Sequence, residues 1–123
     1  MSLPTIIKYK STRVVVEDDL KDITDNKLST LSKFISDDEG VTCEVEFEKV
    51  AARNNGRIFR VEVNLEVAGS LYRAEATEES FERAIDEVRE ELDKEMRRAN
   101  RKKESLFRRG GRKIKEMMRF GGN

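Results

Sequence analysis

The 123 residues leave room for one domain with a modest core, and 37% hydrophobic against 41% charged residues describe a chain with a heavily ionised surface. There is no histidine and one cysteine, which excludes an internal disulfide, most nucleophilic triads and the usual zinc ligand sets. No apolar run reaches the roughly 20 residues needed to span a bilayer, and no basic-then-apolar leader opens the chain, so a cytoplasmic protein is expected.

In chain order, Ile6 to Lys10 read as a first strand, with Pro4 opposing regular structure before it. From Glu17 the period changes, and Leu20, Ile23, Leu28, Leu31, Phe34 and Ile35 mark one apolar stripe on a helix of about five turns. Glu17, Asp18 and Asp19 sit in its first turn, where the helix dipole favours carboxylates, and Gly40 closes the segment. Strict alternation of Val41, Cys43, Val45 and Phe47 with Glu44, Glu46 and Glu48 predicts a half-buried second strand ending near Val50, with Cys43 a buried filler. Asn54, Asn55 and Gly56 form a loop. A third strand points Phe59, Val61, Val63, Leu65 and Val67 inward, with Arg60, Glu62, Asn64 and Glu66 outward. Ala68 to Ser70 turn the chain into a fourth strand with Tyr72, Ala74 and Ala76 inward.

Thr77 is the expected cap of a long second helix from Glu78 to about Lys103, its stripe running through Phe81, Ala84, Ile85, Val88, Leu92, Met96 and Ala99. The order βαβββα predicts an α+β fold, a four-stranded sheet with two helices packed on one face, similar to a double-stranded-RNA-binding domain. Residues 1–105 form this domain and 106–123 a basic, flexible tail, interrupted by Gly110 and Gly111. Ile114, Met117, Met118 and Phe120 gather in that tail, but over too short a span to suggest a membrane-surface helix.

The net charge of zero hides a segregation along the chain. Residues 97–123 hold eleven basic side chains (Arg97, Arg98, Arg101, Lys102, Lys103, Arg108, Arg109, Arg112, Lys113, Lys115 and Arg119) against Glu104 and Glu116. That balance of +9 leaves −9 for the rest, so a polyanion is drawn to the C-terminal end, in a fixed orientation and in a salt-sensitive way. The outward glutamates of the second and third strands forbid base stacking across the sheet, which leaves recognition of shape and phosphates by helices and loops. Lys27 and Lys33 on the first helix, with Lys94, Arg98, Arg101 and Lys102 on the second, could form one basic edge where the helices lie side by side; the competing view is ordinary exposed helix charge. Asp37, Asp38 and Glu39 share a loop but have no spaced partners with which to hold a catalytic metal.

The run from Leu20 to Phe34, the strand residues Arg60 to Glu75 and the segment Glu78 to Val88 resemble ribosome hibernation promoting factors and ribosome-associated inhibitors. The likeness covers roughly residues 5–103. It implies a non-enzymatic, cofactor-free protein that docks on small-subunit ribosomal RNA at the subunit interface, blocks the messenger and transfer RNA sites and promotes hibernation. The implied partners are the small subunit and the whole ribosome, with no membrane and no small-molecule substrate. By position the resemblance makes Lys27, Lys33, Lys94, Arg98, Arg101 and Lys102 RNA contacts, and the basic run adds Arg97, Lys103, Arg108 and Arg109. Glu91 departs from it, occupying a position where relatives can be basic. The chain resembles the short form, without a dedicated dimerisation domain. The alternative is a general structured-RNA binder or RNA chaperone, which would show no preference for ribosomes.

Overall fold

The computed structural model describes residues 3–121, with side chains described through Arg108. Its elements are β1 (Ile7–Thr12), α1 (Asp18–Leu28), the 3-10 helix η1 (Ser29–Phe34), β2 (Val41–Lys49), β3 (Phe59–Val67), β4 (Ser70–Glu78) and α2 (Phe81–Gly121). The sheet order is β1-β2-β3-β4; β1 runs parallel to β2 and the other neighbours are antiparallel. The α+β expectation holds, and the alternation read from the sequence sets the faces. Cys43, Val45, Phe47, Val61, Val63, Leu65 and Ala74 are buried in one cluster with Leu28, Leu31, Ile85, Val88, Leu92 and Met96 from the helical layer.

Local chemistry explains where the elements depart from the sequence reading. The first helix was expected to keep its α-form to about Ile35, but it tightens at Ser29. There the Ser29 hydroxyl donates to the Asn26 carbonyl (2.6 Å) and Thr30 to that of Lys27 (2.9 Å), competing with the α-helical ladder. Thr77 is not the cap of α2, because the ladder holds Thr77 opposite Arg60 and Glu78 opposite Phe59 within β4. Ser80 caps instead, its hydroxyl accepting the Arg83 N–H at 3.2 Å. Ala68 and Gly69 both take positive φ (50° and 85°), the two-residue primed turn whose twist suits a tight hairpin. The backbone of α2 continues past Lys103 and through Gly110 and Gly111 to Gly121, at a helix-propensity cost of about 1 kcal/mol per glycine.

Cys43 is 2% exposed. Burial, reinforced by the negative charge of Asp25 and Glu44, pushes its thiol up to about 12. Burial likewise lifts Tyr9, whose hydroxyl donates to the Lys21 carbonyl, to about 12. Both groups bind their protons more tightly folded than unfolded. Their contribution to stability is complete below the unfolded thiol value of about 8.5 and erodes as pH rises from there towards 12. A thiolate-directed reagent at about pH 8 should label native protein roughly a thousandfold more slowly than protein unfolded in urea, read by a chromogenic disulfide assay. Equal rates would mean that this strand opens freely.

Candidate nucleic-acid interface

The open face of the sheet is an ion-pair lattice. The register places Glu46 opposite Glu62 and Glu62 opposite Glu75, three carboxylates in a row across β2, β3 and β4. Arg60, only 18% exposed in its side chain, holds them together: it donates to Glu46 and Glu48 (3.2 Å each), to Glu75 (2.5 Å) and to Glu62. Hydrogen bonding to Glu75 is the largest influence on its guanidinium, which stays protonated more firmly than usual. Partial burial alone would raise the Glu62 carboxyl, but hydrogen bonds from Asn64 and Arg73 outweigh it and hold the group below the ordinary range. This face is self-satisfied and lined with carboxylates, so phosphates gain little there.

The helical layer separates the expected basic residues into two sets. Where α1 and η1 meet α2, Lys27 pairs with Asp86 (2.5 Å) and Lys33 with Asp93 (3.3 Å), while Arg97 closes a second pair with Asp93 (3.1 Å). Lys33 and Arg97 also lie over the Phe34 ring, at 5.2 and 5.3 Å from its centre. Burial would push Asp93 up, yet hydrogen bonds from Lys33 and Arg97 prevail and keep it ionised below the usual range. The seam therefore holds acids between its cations instead of one continuous basic edge.

Lys94, Arg98, Arg101 and Lys102 behave differently. One residue is about 100° of helix rotation, which turns Lys94 away from Asp93; Arg98 follows Lys94 by four, and Arg101 and Lys102 follow Arg98 by three and four, which keeps these residues on one flank. All four are exposed, and among the described residues none of them, nor Lys103, forms an ion pair. The flank opens with Glu91, also exposed. Arg108 pairs along the helix with Glu104 (3.5 Å), and the Arg109 side chain lies outside the described residues.

Beside the seam lies a groove of about 250 Å³, lined by Lys33, Phe34, Ser36, Tyr72, Asn100 and Lys103 among others. Tyr72 was read from the sequence only as an inward strand residue and Asn100 was not read at all; they come together only because the β3–β4 hairpin and η1 both end beside α2. Glu39 closes its own loop by accepting the Ser36 N–H (2.7 Å). Among the described residues no group of His, Cys, Asp or Glu could hold a metal ion, and no helix is long and apolar enough to cross a membrane.

Residues 7–104 match the family described as sigma 54 modulation protein / S30EA ribosomal protein. No curated protein matches the chain in sequence. Among solved structures it is similar to the N-terminal domain of Protein Y from Thermus thermophilus, with a TM-score of 0.63 at 21% identity, over 80% of this chain and 98% of that one. It is also similar to a ribosomal subunit interface protein from Coxiella burnetii, with a TM-score of 0.59 at 18% identity, over 76% and 96%. At these identities the likeness establishes the shared fold.

Proposed function

Because the chain belongs to the sigma 54 modulation protein / S30EA ribosomal protein family, we propose that it is a ribosome-binding module of the hibernation type, acting by occupancy and without chemical turnover. It docks at the subunit interface on small-subunit RNA, where its bulk covers the messenger and transfer RNA sites and silences translation. The observation that carries this reading is the flank of Lys94, Arg98, Arg101 and Lys102, four exposed cations free of ion pairs among the described residues, on a helix that outruns its own sheet. Such a row neutralises consecutive phosphates, and the carboxylate-lined sheet face orients the domain by repulsion. Lys27, Lys33 and Arg97 contribute less, because Asp86 and Asp93 already engage them in ion pairs and cancel two of their three charges.

Co-sedimentation with ribosomal subunits and whole ribosomes, at moderate and high salt, tests the proposal beside a truncation ending at Ala99. The expected result is full-length protein travelling with the small subunit and the whole ribosome, with binding weakened by salt and by truncation. Protein left at the top of the gradient at every salt would sink the ribosome reading. Equal affinity for any structured RNA would identify a general RNA chaperone instead.

A further inference from the structure

The sequence of α2 changes sign halfway along. From Glu78, at the end of β4, through Glu95 there are nine acidic residues against three basic; residues 97–123 hold eleven basic against two acidic. The continuous helix of 41 residues, about 61 Å at 1.5 Å per residue, holds the two halves end to end, so they cannot neutralise one another within one molecule.

We propose that the free protein pairs with a second copy through antiparallel α2 helices, the basic half of each lying along the acidic half of the other. Antiparallel pairing about a two-fold axis forms both complementary contacts at once and closes on itself, so it yields a dimer and not a filament. The surfaces are available. Glu82, Glu87, Glu90 and Glu91 are exposed and, among the described residues, free of ion pairs, as are Arg98, Arg101, Lys102 and Lys103. Crowding marks the acidic half even within one molecule: a hydrogen bond to Glu78 holds the Glu87 carboxyl above its ordinary range. Individual surface ion pairs contribute at most about 1 kcal/mol, so the dimer is a weak, salt-dependent state of the free protein. On the ribosome-binding reading above, RNA and a second copy compete for the same cations.

The test is the mass of the purified, RNA-free chain by sedimentation equilibrium, which is independent of whether ribosomes bind. Between about 0.01 M and about 1 M salt the Debye length falls from about 30 Å to about 3 Å, and the dimer dissociation constant should weaken at least about tenfold. Two charge-reversed chains sharpen the result, one carrying Glu82→Lys, Glu87→Lys and Glu90→Lys, the other Arg101→Glu, Lys102→Glu and Arg108→Glu. Each alone should be monomeric, whereas an equimolar mixture restores both contacts and hence the dimer. Wild-type protein monomeric at low salt, or a mixture that stays monomeric while wild type pairs, would overturn the proposal.

Discussion

Reversing two charges, Arg98→Glu with Arg101→Glu, should weaken ribosome binding by at least about a hundredfold near 0.1 M salt. The estimate follows from counterion release: each neutralised phosphate contributes close to one unit of slope in log affinity against log salt, or about tenfold in affinity at that concentration. Two lost contacts give about two decades, and the repulsion introduced by the glutamates adds to them. The salt slope itself should fall by about two units. Both residues are exposed and unpaired among the described residues, so folding should change by no more than about 0.5 kcal/mol, checked by circular dichroism and urea titration. Lys27→Ala should cost less than about threefold, because Asp86 already compensates that cation. Affinities measured by filter binding with small subunits decide the matter. A loss for Lys27→Ala as large as that for the flank variant would move the interface into the helix seam.

Arg60→Ala should be the most destabilising single change on the polar face of the sheet, by about 2–3 kcal/mol in urea denaturation at neutral pH. Breaking a buried pair costs about 3–5 kcal/mol, reduced here because Glu75 is 55% exposed in its side chain. The loss has a specific origin: without the guanidinium, Glu46, Glu62 and Glu75 stand in one cross-strand row with, among the described residues, Arg73 and the longer Lys10 contact as the cations left to offset them. Its pH dependence should invert. In the wild type the depressed Glu62 carboxyl stabilises above the ordinary glutamate value of about 4.3, and that contribution disappears as pH falls through its lower folded value. In the variant the crowded carboxylates take up protons more readily folded than unfolded, so stability should rise between about pH 7 and pH 5. A variant within about 0.5 kcal/mol of wild type, with unchanged pH dependence, would reduce the network to solvated decoration.

Much of this fold was legible because its sheet is covered on one side only. Each strand writes that asymmetry as a two-residue alternation, most plainly in Cys43 to Phe47 and Val61 to Val67, and the stripe from Ala84 to Met96 identifies the covering helix. What escaped the sequence depends on competition or on distance. Ser80 wins the cap over Thr77 because β4 pairs further than its composition suggests. Leu3 and Ile58 are buried from segments without periodicity, and Val14 and Val16 pack on the core from a loop. For the interface, the basic cluster was visible in the charge count, but its division was not. Arg97 follows Asp93 by four residues, a pairing that local spacing announces; the pairs of Lys27 with Asp86 and Lys33 with Asp93 join residues about 60 apart and exist only once the helices pack.

The parallel pairing of β1 also bears on how the chain is assembled. Ile7 lies opposite Cys43, 36 positions later, whereas Val67 and Ser70 face each other across a two-residue turn. During synthesis β1 is made first, yet it has no partner until α1, η1 and β2 have all emerged. The β2–β3–β4 ladder, closed by short connections, loses far less entropy on forming. The order of manufacture and the order of assembly therefore run in different directions, and until β2 is available the earliest strand carries Ile7 and Tyr9 with no ladder to join.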